Sequence, residues 1–251
     1  MSVSPVDTSQ PELEQANPHD GVFPPSDLYS DEPPLETDLH RDQIDLLIRI
    51  LKQVWADRQD FYASGNLTIY DSPEQQKSKD FRGPDFFVVL GTERKPRKSW
   101  VVWEEGGRYP NVIVELLSES TAKTDRGLKK QIYQDIFRTP NYFWFDPDSL
   151  EFEGFQLMNS TYEPLPTNEQ GWRWSEQLEL YLGVHNQQLR FFTPTGDLVL
   201  SPEEQAAAER LRADTEQQRA DAEQQRADAE QQRKEALAAK LRELGIDPDQ
   251  L

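Results

Sequence analysis

The sequence predicts an α/β fold, a mixed sheet flanked by helices, with an acidic proline-rich arm before it and one long helix after it. Three observations predict it. Short apolar runs stand at Phe86-Phe87-Val88-Val89-Leu90, at residues 112–117 and at Tyr142-Phe143-Trp144-Phe145, continuous enough to be strands covered on both faces. The last two enclose an amphipathic helix, so strand, helix and strand follow within about 30 residues, as in a right-handed βαβ unit with parallel strands. Beyond Pro147 the apolar runs are short and alternating, which predicts antiparallel hairpins.

These elements divide the chain into three parts: an arm (1–34), a central domain (35–200) and a helical tail (201–251). The arm holds prolines at 5, 11, 18, 24, 25, 33 and 34 and no Lys or Arg, and such a composition is expected to stay disordered, its last part lying on the domain. A helix capped by Thr37 or Asp38 follows. Ile44, Leu47, Ile48, Leu51, Val54 and Trp55 form its apolar stripe, with His40 one turn earlier. Residues 66–70 alternate as a half-buried strand, and residues 71–82 form a polar loop. The basic run Arg94-Lys95-Pro96-Arg97-Lys98 is either a solvated turn or a contact to a phosphate backbone. A strand at 99–105 and a glycine turn lead into the strand at 111–117.

Later strands are expected at 150–157, 161–165, 172–174 and 189–200. Ser201-Pro202-Glu203-Glu204 is a capping box with proline at the first helical position. Three heptads of the type Arg-Ala-Asp-Ala-Glu-Gln-Gln start at 212, 219 and 226, with Arg212/Glu216 and Arg219/Glu223 spaced to pair on an exposed helix. The seam is alanine and glutamine, weak for a coiled coil, until Leu237, Leu241 and Leu244 offer a better patch for self-association.

The chemistry-bearing residues cluster between 82 and 147. Asp85 follows Pro84 at the head of one apolar strand, and Glu115 lies inside the next. Taking about 100° per residue from Leu128, the apolar residues Leu128, Ile132, Ile136, Tyr133 and Phe137 fall at about 0, 40, 80, 140 and 180°. Asp125 and Lys129 fall inside that band at about 60 and 100°. Burying charge is unfavourable unless it is paired or coordinated. Two readings stay open: an ion pair whose lysine stem snorkels outward, or charged groups aimed at a site.

Together, Arg82-Gly-Pro-Asp85-Phe-Phe-Val-Val, Val114-Glu115-Leu-Leu-Ser118-Glu-Ser120-Thr121, Asp125-Arg-Gly-Leu-Lys129-Lys-Gln-Ile-Tyr133 and Tyr142-Phe-Trp-Phe-Asp146-Pro147 resemble the Uma-two endonuclease-like family. That family belongs to the PD-(D/E)xK restriction-endonuclease-like superfamily, and the similarity spans roughly residues 35–200. The resemblance implies a restriction-endonuclease-like sheet and a metal-dependent endonuclease acting on DNA. Asp85 and Glu115 would ligate Mg2+ or Mn2+, and Asp85, Glu115 and Lys129 would form the catalytic set. Asp125 would support Lys129, and His40 would touch the metal through water. His40 as a satisfied structural histidine stays equally open, Glu36 is a weaker candidate, and Tyr133 is read as packing on the lysine stem. The sequence departs from the superfamily pattern at Leu117, where the lysine normally stands. The resemblance supplies that lysine from the helix, at Lys129. It departs again at Glu119, where relatives carry proline.

Composition limits the alternatives. With no cysteine among 251 residues, disulfides, thiolate metal sites and a cysteine nucleophile are excluded. His19, His40 and His185 show no zinc spacing, so a metal would be held by oxygen. No signal-like start or membrane-length apolar run stands in the sequence, and the expected location is the cytoplasm. The net charge of −19 argues against a general nucleic-acid binder. However, residues 35–200 hold 26 acids and 19 bases, and most of the excess lies outside them. DNA is the expected partner, a homodimer through the domain or the tail is compatible, and no membrane is implied. The competing readings are an inactive nuclease-like assembly module using the tail helix, and a hydrolase of small phosphorylated molecules.

Overall fold

The computed structural model describes residues 28–30, 37–72, 83–118, 121–243 and 245. Most of the arm, Glu36, Arg82, Glu119, Ser120 and Leu244 lie outside the described residues. From the arm, Leu28 and Ser30 run beside the chain before the fourth strand. Ser30 N–H donates to the Lys98 carbonyl at 3.0 Å, and Ser99 Oγ–H donates to the Leu28 carbonyl at 2.7 Å.

Helix α1 (Asp38–Val54) is capped by Thr37, whose hydroxyl accepts from His40 N–H. Its buried side is His40, Gln43, Ile44, Leu46, Leu47, Ile50 and Leu51. Val54, expected on the stripe, is exposed, because the helix ends there and the chain turns at Trp55. The short strand β1 (Phe61–Ser64) was not legible in the sequence. It pairs antiparallel with β3 (Phe86–Leu90) and forms one edge of the main sheet. The 66–70 and 99–105 strands shrink to β2 (Ile69–Tyr70) and β4 (Trp100–Val101), a two-stranded parallel pair.

Strand β5 (Val112–Leu116) and β6 (Asn141–Phe145) are parallel, as the strand–helix–strand order requires. The other pairings of the six-stranded sheet are antiparallel, and its order is β1-β3-β5-β6-β7-β8, with β7 (Phe152–Met158) and β8 (Thr161–Pro164). A separate sheet follows: β9 (Arg173–Ser175), β10 (Leu180–His185) and β11 (Gln188–Phe192). Its middle strand is a second element missed in the sequence.

Each face of the main sheet is covered, and this sets where the chemistry sits. Val112, Val114 and Leu116 of β5 pack with α1 and with Leu180, Leu182, Leu189 and Phe191 of the smaller sheet. Ile113 and Leu117 face the opposite way, toward Tyr133, Phe137, Tyr142 and Trp144. Strand alternation places Glu115 on this second face, where a purely structural sheet would carry another apolar side chain.

The helical run over that face is α2 (Ala122–Thr124), a π-helical segment (Asp125–Lys129) and α3 (Lys130–Asp135). Its buried line is Asp125, Tyr133 and Phe137, with Lys129 nearly covered. The expected band was shifted: Leu128 and Ile136 are 55% and 52% exposed. The wider π turn rotates the later residues, and Ile136 lies past the end of the helix. Single π turns inside α-helices recur at functional sites.

Helix α4 (Pro202–Glu243) runs 42 residues with no buried residue among those described. Its capping box forms, with Ser201 N–H donating to Glu204 Oε2 at 2.8 Å and Glu204 N–H donating to Ser201 Oγ at 3.2 Å. Along the shaft the side-chain contacts are Gln217–Asp221, Gln224–Asp228 and Gln231–Glu235 rather than the expected arginine–glutamate pairs. No described helix is long and apolar enough to cross a membrane.

Candidate active site

Antiparallel pairing of β3 with β5 brings the head of one strand to the end of the other, and with them their two carboxylates. Asp85 N–H donates to Glu115 Oε2 at 3.3 Å, and Leu116 N–H donates to Asp85 Oδ2 at 2.8 Å. Each carboxylate thus bonds the backbone of the strand that carries the other. The approach depends on Gly65, where an added Cβ would lie 2.1 Å from the Asp85 carbonyl oxygen and 2.5 Å from Ile44 Cγ2. Any side chain at 65 would push the turn after β1 away from Asp85.

The helix supplies the rest. Lys129 Nζ lies 3.1 Å from Glu115 Oε2 and 2.9 Å from Asp125 Oδ1. Tyr133, read in the sequence as packing on the lysine stem, instead donates its hydroxyl to Glu115 Oε1 at 2.5 Å. Tyr142 of β6 donates to the Asp125 carbonyl at 2.9 Å and so holds the π segment to the sheet. Lys129 and Tyr133, four apart, meet the Glu115 carboxylate from the sheet, and Asp125, four residues earlier, holds the lysine.

Two carboxylates therefore pair with one ammonium, and a third, Asp85, acts on it through space in a largely buried setting. Glu115 and Asp125 are fully buried and Asp85 is partly so. Burial, with the charge of Asp85 adding to it and Lys129 opposing it, pushes the Glu115 carboxyl up to about 7. Burial also raises Asp85 and Asp125 above the usual carboxylate range. At Lys129 burial works against the charge, but Glu115, Asp125 and Asp85 overcome it and hold the ammonium well above its ordinary value. The cluster is short of positive charge.

A divalent cation would fit that deficit. The donors are hard carboxylate oxygens of the kind Mg2+ and Mn2+ prefer, and both Asp125 oxygens are closed to solvent. Among the described residues no three acidic or histidine side chains stand as a finished cage. Two carboxylates with water and substrate oxygens completing the shell is how Mg2+ is commonly held.

His40 does not touch this cluster through any described contact. Its Nδ1 lies 2.8 Å from Thr37 Oγ1, closing the N-terminal turn of α1, and its Nε2 is buried without a hydrogen-bond partner. The four bases proposed as phosphate contacts are placed elsewhere. Their loop follows the far end of β3, roughly 17 Å of strand beyond Asp85. Arg97 is nearly buried and forms a bidentate pair with Glu105. Arg94 donates to the carbonyls of Trp55, Ala56 and Arg58. Lys95 pairs with Glu93, and Lys98 lies over Tyr29. Arg94 and Arg97 are held by contacts within the fold.

The site thus consists of an aspartate at the head of β3, a buried glutamate on the neighbouring β5 and a lysine on the following helix. The profile of the Uma2 family, described as "Putative restriction endonuclease", matches residues 28–193, and the chain belongs to that family. No curated protein matches the chain. Among solved structures it is similar to a "putative nuclease belonging to DUF820" from Anabaena variabilis ATCC 29413. That match has 14% identity, a TM-score of 0.43, and coverage of 60% of this chain and 80% of the other.

Proposed function

We propose that the protein is a metal-dependent endonuclease that hydrolyses DNA phosphodiester bonds. Residues 35–200 form the nuclease unit in this reading, with 201–251 as an appended helix. One observation carries the proposal: Glu115, fully buried on an otherwise apolar sheet face, meets Lys129, Tyr133 and the Asp85 backbone within hydrogen-bonding reach.

Asp85 and Glu115 would hold the cation, Mg2+ or Mn2+. When bound, it would polarise the phosphate and lower the pKa of an attacking water. Lys129 stays protonated at neutral pH, held so by the surrounding carboxylates. It therefore acts as a fixed positive charge, orienting the water and offsetting charge that develops on the phosphate oxygens. Asp125 fixes the lysine at 2.9 Å. Tyr133 fixes one Glu115 oxygen and leaves the other toward Lys129 and Asp85.

Calorimetric titration of Mn2+ into the wild type, Asp85→Ala and Glu115→Ala tests the metal site. Binding in the wild type and its loss in both variants is the expected result. Absence of binding to the wild type at millimolar Mn2+ would remove the proposal's main support. A second reading, an assembly module without catalysis, is favoured by α4, 42 residues long with none buried among those described, and by the net charge of −19. It requires that intact protein bind no cation at the cluster.

A further inference from the structure

The basic loop after β3 borders a cavity. Its volume is about 440 Å³, and it is walled by Lys52, Arg94, Lys95 and Arg97, by Pro96, and by the whole of β1. None of its lining residues is acidic, although the chain carries 46 acids against 27 bases. A concentration of positive charge in so acidic a protein is a feature that an anion could use.

The four bases are not equivalent. Arg97 is committed to Glu105 in a nearly buried pair, whereas Lys95 meets Glu93 in a solvent-exposed pair that an anion can displace. Lys52 and Arg94 have no ion-pair partner among the described residues. Arg94 spends one terminal nitrogen on the three carbonyls that close α1 and lies over the Phe61 ring. Lys52 is pushed below the usual lysine range by burial and by the neighbouring Arg94 charge. Two like charges face one cavity, and an anion between them would relieve the repulsion.

The other wall supplies a different chemistry. β1 is the terminal strand of its sheet. Gly91 N–H donates to the Asp60 carbonyl, and Leu90 N–H donates to Asn111 on the side away from β1. Bonded and non-bonded pairs alternate along an antiparallel ladder. The register Phe61↔Leu90, Tyr62↔Val89, Ala63↔Val88 thus directs the N–H and C=O groups of Phe61 and Ala63 toward the open edge and the cavity. Paired backbone donors and acceptors beside a cationic wall match a ligand that has a hydrogen-bonding ring and an anionic tail, and the cavity is within the size range of small-molecule sites.

We propose that this cavity is a nucleoside-phosphate site, with the phosphates at Lys52, Arg94 and Lys95 and the nucleoside edge on the backbone of Phe61 and Ala63. The proposal is independent of the nuclease reading. The test is calorimetric titration of adenosine diphosphate, adenosine and inorganic pyrophosphate into the full chain with chelator present. The exposed lysines are then changed in Lys52→Glu and Lys95→Glu, and Glu115→Ala is included as a third variant. Adenosine diphosphate is expected to bind more tightly than either fragment. Each lysine change should weaken it by at least about tenfold, the scale of one charged hydrogen bond, and Glu115→Ala should leave it unchanged. Four results overturn the proposal: no binding of adenosine diphosphate, either fragment binding as tightly, binding indifferent to either lysine change, or binding lost in a Glu115→Ala protein whose thermal melt shows it folded.

Discussion

Glu115 is the residue on which the site turns, and its burial makes a prediction about pH. In an unfolded chain its carboxyl titrates near 4.5, and in the fold it is pushed up to about 7. The folded state therefore holds an extra proton between those values, so the metal-free protein loses stability as pH rises from about 4.5 to about 7. Glu115→Gln removes the share of this dependence that belongs to Glu115, while Asp85 and Asp125, also raised by burial, keep theirs. Thermal melts with chelator at pH 5 and pH 8 should show the wild type falling more steeply than the variant, with the variant more stable at pH 8. An unchanged pH dependence in Glu115→Gln would show that another group titrates. Tyr133→Phe removes the hydroxyl that bonds Glu115 Oε1. Loss of such a ligand-orienting bond typically weakens metal affinity by about 10- to 100-fold, and Mn2+ calorimetry measures it.

Asp85, Glu115, Asp125 and Lys129 were legible as candidates in the sequence because strand edges and helix phase can be read one element at a time. Tyr133 was misassigned for the converse reason. A tyrosine on an apolar stripe reads as packing until the strand across from it is known to carry a carboxylate in reach of its hydroxyl. At Arg94 and Arg97 the sequence shows a basic run but not the contacts to Glu105 and to three carbonyls that hold it.

At the scale of elements, the helix over the site shows where a simple period fails. A uniform 100° turn puts Leu128 and Ile136 on the buried face, whereas the π segment and the end of the helix at Asp135 leave both exposed. Leu128→Gln is therefore expected to change stability by less than about 0.5 kcal/mol, while Phe137→Ala, at a 3% exposed position, should cost roughly 3–5 kcal/mol. Urea titrations decide between them; equal costs would place Leu128 in the core. The parallel β5–β6 pair was legible because a strand–helix–strand order permits little else. Strands β1 and β10 were missed. β1 is four residues long, and β10 takes its identity from pairing with β9 and β11.

Over the whole molecule, α4 joins the domain through its first turn and then leaves it. Glu204 carries both the capping box and a pair with Arg190, which is 2% exposed. The box was readable in the sequence, and the tertiary partner was not. Glu204→Ala leaves the buried guanidinium without its carboxylate and should cost roughly 2 kcal/mol, whereas truncation after Ala208 should leave the melting temperature of the domain nearly unchanged. A large loss on truncation would mean that the shaft is covered in solution, as in a dimer through α4.

Cleavage of supercoiled plasmid DNA in Mg2+ or Mn2+ tests the central claim most directly, with wild type beside Asp85→Ala, Glu115→Ala and Lys129→Ala. Nicked or linear product from the wild type alone, abolished by chelator, is the predicted result. Cleavage that persists in the three variants, or none by a wild type that binds the metal, would contradict it.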